Sequence, residues 1–62
     1  MEKTLGMRIL EYRAEHNISA ITFAGMAHVT PQTIYNIENN TQSPSKLTRL
    51  KVEKVLNEKK GD

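Results

Sequence analysis

Gln32, Thr33 and Asn36 are the residues of this 62-residue chain whose types and spacing could do recognition chemistry. A carboxamide sets a donor beside an acceptor, the pattern that matches N6 and N7 of adenine in a major groove. A threonine adds a hydroxyl for a base edge or phosphate, and a methyl that can meet a thymine methyl. At 100° per residue, Gln32, Asn36 and Asn39 share one helical face with Tyr35 at its shoulder, while Ile34 and Ile37 fall opposite. The same polar face would also serve any surface helix as solvated exterior. Other chemistries lack their residues. With no Cys there is no thiol nucleophile, disulfide or Cys-based zinc site, and two His are too few for a metal cage. No His–carboxylate pair or phosphate-cradling Gly loop is present, so neither an enzyme nor a cofactor is expected.

The face must be held by neighbouring elements, and the stretch from Ser19 to Glu38 reads as two short helices joined by a tight turn. Ile18, Phe23, Ala24 and Ala27 recur near helical period, then Val29, then Ile34 and Ile37. Ser19 suits the N-cap of the first of these helices. Thr30 followed by Pro31 starts the second, a hydroxyl cap before a residue whose φ is preset and which has no N–H to lose. His28 and Val29 are left for the connection, so the helices must cross steeply with Ala24 and Ala27 at the close approach. A crossed pair of this kind is either a DNA-binding motif or a plain helical corner.

An opening helix is predicted after Thr4 and up to His16, with Leu5, Ile9, Tyr12 and His16 on one stripe. Asn17 fits the left-handed position beyond its end. After the loop Asn39–Pro44, Ser43 is expected to cap the last helix and Pro44 to open it. Leu47, Leu50, Val52, Val55 and Leu56 supply an apolar surface wider than one core stripe needs, so part of it is expected to meet a second subunit. Asn57 to Asp62 reads as a frayed, charged tail.

The Ser19–Glu38 stretch resembles the helix-turn-helix of the phage-repressor family, the Cro/CI-type (XRE-like) regulators. The shared pattern is Ile18-Ser19, Phe23-Ala24, Ala27, Val29, Thr30, Ile34 and Ile37-Glu38-Asn39, and with its flanks it covers roughly residues 5 to 56. The resemblance implies an all-α, lambda-repressor-like bundle of four helices, one domain over 1–62 with an ordered core of about 4–58. It implies a sequence-specific double-stranded DNA-binding transcriptional regulator, a phage or mobile-element repressor acting in the cytoplasm of a prokaryotic host. The recognition helix would be 31–38, with Gln32, Thr33 and Asn36 reading bases and Pro31, Tyr35 and Asn39 beside the DNA. Arg8, Ser19, Thr41, Lys46 and Arg49 would meet phosphates, and Arg13 and Glu38 would form a partly buried structural ion pair, a bidentate bridge that fixes the angle of the third helix.

Several positions depart from the family, and two bear on the backbone grip and the turn. Ala20 stands where a phosphate-anchoring Gln is common, and His28 stands where the turn usually has Gly. His28 reads as a solvated loop residue.

Net charge is +2, but Lys and Arg are absent from residues 14 to 45. Phosphate neutralisation must therefore come from the flanks. A domain this small buries too little surface for tight specific binding alone, so two copies on a symmetric or tandem site are expected. The competing reading is a protein-interaction module, such as an antirepressor, that keeps the fold with little DNA affinity. Met7, Leu10, Ile21 and Met26, apolar where the family is usually polar, would be its docking residues. No signal peptide or apolar run long enough to span a membrane is evident, so a soluble intracellular protein is expected.

Overall fold

A computed structural model describes residues 3–41 and 43–57; Gln42, Lys59, Lys60 and the rest of the expected tail from 58 onward lie outside them. The helices are α1 (Leu5–His16), α2 (Ala20–Ala27), α3 (Pro31–Asn39) and α4 (Lys46–Asn57), with no strand among the described residues. The all-α bundle of four helices expected from the sequence is the observed fold.

Each start is set by a hydroxyl. Thr4 accepts from Met7 N–H, Ser19 from Thr22 N–H and Thr30 from Thr33 N–H, at 3.1, 3.1 and 3.2 Å. The last helix starts two residues later than Ser43 and Pro44 suggested. Ser45 is its cap, accepting from Thr48 N–H at 3.2 Å, with Ser45 Oγ and Thr48 Oγ1 3.0 Å apart. A cap at Ser43 would have put Lys46 at the third helical position, where its side chain has no hydroxyl to pair with the cap.

The ends of α1, α2 and α3 share one device. Asn17, His28 and Asn40 have φ of 53°, 59° and 58°, and none is Gly. The N–H two residues beyond each helix returns to a carbonyl five residues back: Ile18 to Arg13, Val29 to Ala24, Thr41 to Asn36. His28 therefore does occupy the left-handed turn position, although that conformation is less comfortable for it than for Gly or Asn.

Every helix contributes one of the four largest fully buried side chains: Ile9, Phe23, Ile34 and Val52. Ala20, Ala24 and Ala27 let α2 approach its neighbours, and α2 with α3 make the most extensive helix–helix contact. Tyr12 meets Phe23 edge-on at 5.4 Å. His16, expected on the core stripe, is exposed; its ring stacks on Tyr12 at 4.0 Å and its Nδ1–H donates to Tyr12 O. On α4, Val52, Val55 and Leu56 face the core, while Leu47 and Leu50 are 63% and 53% exposed. At 100° per residue they lie on the far side of the helix from Val52.

Candidate nucleic-acid interface

The outward side of α3 is polar because its inward side is committed to the core. Ile34 and Ile37 are buried; Gln32, Tyr35 and Asn39 are exposed, and Pro31, Thr33 and Asn36 are half-buried. Gln32 and Asn36, one turn apart, are joined by a hydrogen bond from Gln32 Nε2 to Asn36 Oδ1 at 3.0 Å. Thr41 closes the network from the loop, its hydroxyl donating toward Asn36 Oδ1 at 3.2 Å and Asn36 O at 3.3 Å. Thr41, expected to meet a phosphate, directs its hydroxyl at a residue of the polar face.

Two features fix how α3 is presented. Arg13 Nη1 donates to Glu38 Oε2 at 2.7 Å, with side chains 24% and 8% exposed. The contact is not bidentate on the carboxylate, because Arg13 Nε turns to Ile18 O at 3.4 Å. One guanidinium thus ties α1 to α3 and to the entry of α2. The second feature is Gly6, whose close approach to α3 the sequence does not announce. A Cβ there would lie 2.6 Å from Ile37 O and 2.9 Å from Glu38 Cα, so the backbones of α1 and α3 touch only because Gly6 has none. Its one sequence signal is a Gly inside a helical pattern.

Two of the expected phosphate residues, Arg8 and Arg49, line different clefts. Arg49 lines a cleft of about 380 Å³ with Lys3, Thr4, Ile37, Asn40 and Ser43, beside the end of α3. Lys46 is exposed in the first turn of α4. Arg8 lines another cleft, with Glu11, Tyr12, Glu15 and Leu56. Ser19 is engaged in capping. No helix carries an acidic residue in its first turn. Neutral hydroxyl caps leave the partial positive charge of the N-termini of α2, α3 and α4 unopposed, which favours a nearby anion.

Met7, Leu10, Ile21 and Met26 are all exposed, Ile21 most at 64%. Among the described residues no cluster of His, Cys, Asp or Glu could hold a metal ion, and no helix is long and apolar enough to cross a membrane.

A family profile described as helix-turn-helix matches residues 9–61. A protein of Methanothermobacter thermautotrophicus, provisionally named an HTH-type transcriptional regulatory protein, is 38% identical over 52 residues, 84% of this chain. The chain spans 17% of the length of that relative. No solved structure matches it at comparable stringency.

Proposed function

Since the chain belongs to the helix-turn-helix family, we propose that it is a sequence-specific double-stranded DNA-binding transcriptional regulator, Cro/repressor-like in its docking. The second helix braces on the backbone and α3 lies in the major groove. The observation that carries this reading is the division of α3: Ile34 and Ile37 are sealed in the core, and Gln32 and Asn36 stand outside as a hydrogen-bonded pair. Thr33, Tyr35, Pro31 and Asn39 flank that pair. Lys46 and Arg49 supply phosphate contacts at one end, and the carboxylate-free helix N-termini add anion-favouring N–H groups that no Lys or Arg of the motif provides. We read the chain as a binding protein rather than an enzyme, acting in the cytoplasm as two copies on a symmetric or tandem site.

The exposed Ile21, Met26, Met7 and Leu10 favour a second reading, a protein-docking module on the same scaffold. One experiment separates the two. On the DNA reading, Gln32→Ala keeps its melting temperature and loses about 1–3 kcal/mol of discrimination at one base pair. Lys46→Ala instead weakens specific and non-specific duplexes about equally, because phosphates carry no sequence. Titrations against the best duplex and its single-base variants read both effects. If Gln32→Ala and Asn36→Ala bind every duplex as the parent does, α3 is not reading bases and the docking module leads.

A further inference from the structure

We infer that Thr41 is a specificity-determining residue: it holds the Asn36 carboxamide so that only N–H donors face outward, and Asn36 selects guanine over adenine. This rests on the DNA reading proposed above.

The argument begins with hydrogen-bond capacity. A carboxamide oxygen has two lone pairs and its NH₂ two donors. One lone pair of Asn36 Oδ1 is taken by Gln32 Nε2 at 3.0 Å. The Thr41 hydroxyl has a single hydrogen and two oxygens in reach, Asn36 Oδ1 at 3.2 Å and Asn36 O at 3.3 Å. Asn36 O already accepts from the backbone N–H groups of Thr41 and Asn40. The hydroxyl hydrogen therefore goes to the second lone pair of Oδ1. With both lone pairs occupied, Asn36 has no acceptor left for a base.

The device has a local cause. At the ends of α1 and α2 the residue two beyond the helix is apolar, Ile18 and Val29, and packs against the core. At the end of α3 that position is Thr41, exposed, directly over Asn36. The same chain reversal that usually seats a hydrophobic contact here delivers a hydroxyl to a side chain of the polar face.

Adenine presents N7 beside the N6 amino donor, and an Asn bidentate on adenine needs its own oxygen free for N6. The engaged Oδ1 cannot accept it, and the Nδ2 donors would oppose the amino group. Guanine presents two acceptors, N7 and O6, that the Nδ2 hydrogens can serve. Gln32 differs: it gives away one Nε2 hydrogen and keeps Oε1 and the other hydrogen, so it remains competent for adenine. The two carboxamides of one helix thus read opposite purines.

The test selects duplexes from a random pool with the full chain, then titrates the four base pairs at the position that Asn36→Ala makes indifferent. The parent is expected to prefer guanine over adenine there by about fivefold or more. Thr41→Val keeps the shape, frees one lone pair and should narrow or reverse that preference. Thr41→Ser keeps the hydroxyl and should retain it, with melting temperatures of all three alike. A parent preference for adenine at that position overturns the inference, whether or not Thr41→Val folds. So does an unchanged guanine preference in a folded Thr41→Val. A parent that binds all duplexes alike fails differently: it removes the DNA reading itself, and this inference with it.

Discussion

Arg13 and Glu38 set the orientation of α3 through one short charge-assisted bond across 25 residues of sequence. Removing one member of a buried pair leaves the other charge stranded, a cost of about 3–5 kcal/mol, reduced where solvent reaches the survivor. Arg13 is partly exposed, so Glu38→Ala should fall at or below the lower end of that range. Arg13→Ala, Glu38→Ala and the double variant, melted in parallel, should show coupling; strict additivity would mean the two act independently. Gly6 and Gly25 make a sharper pair. Both sit within helices, Gly6 in the first turn of α1 and Gly25 in the last turn of α2, where Ala is favoured by up to about 1 kcal/mol. Nothing lies within 4 Å of a Cβ at Gly25, so Gly25→Ala should raise the melting temperature. At Gly6 the added carbon meets the backbone of α3, which cannot rotate aside, and overpacking costs about 1–3 kcal/mol. Gly6→Ala should therefore lower the melting temperature despite the better helix former. The Arg13–Glu38 pair was legible because its two residue types match a family pattern. The requirement at Gly6 was not, because it is imposed by the carbonyl of Ile37, distant in sequence.

At the level of the elements, the helix limits are written in the hydroxyls and in the residues that tolerate positive φ. Ser19 with Thr22, Thr30 with Thr33 and Ser45 with Thr48 repeat one arrangement, a hydroxyl cap whose partner three residues on is itself a threonine. Thr4, Ser19 and Thr30 were legible because each stands alone before its helix. Ser43 and Ser45 flank Pro44, and cap preference by residue type cannot separate them; the returning hydroxyl of Thr48 does. Ser45→Ala should cost about 0.5–2 kcal/mol, and Ser43→Ala should change little. Helicity and thermal melts of the two variants check this, and equal losses would show that the start of α4 is shared. The polar face of α3 was legible from helical period alone. The engagement of Asn36 by Thr41 was not, because it needs the left-handed turn at Asn40 to fold the loop back over the helix. The exposed Leu47 and Leu50 follow from period too, since they point away from the side of α4 that Val52 commits to the core.

For the whole molecule, charge placement decides how binding should respond to salt. Each phosphate neutralised by a cation lowers log K by about 0.9 per unit of log salt concentration. Among the described cations, Lys3 is paired with Glu11 at 2.7 Å and Arg13 with Glu38. Arg8 shares its cleft with Glu11 and Glu15. Lys46 and Arg49 remain near the start of α4, and Lys51 and Lys54 line a separate cleft with Met26, His28 and Val55. Lys46 and Arg49, with a discounted part from Arg8, correspond to about 2–3 neutralised phosphates and a slope of about −2 to −3 per copy. Backbone N–H groups at the helix N-termini add affinity without adding a cation, so they leave that slope nearly unchanged. Titrations of the best duplex across a range of salt, beside a sizing measurement that gives the number of copies bound, supply the slope per copy. A slope near −5 or steeper would place Lys51 and Lys54 on the phosphate face as well. The clefts would then have to be read as one continuous backbone track, with α4 rather than the end of α3 as its main support.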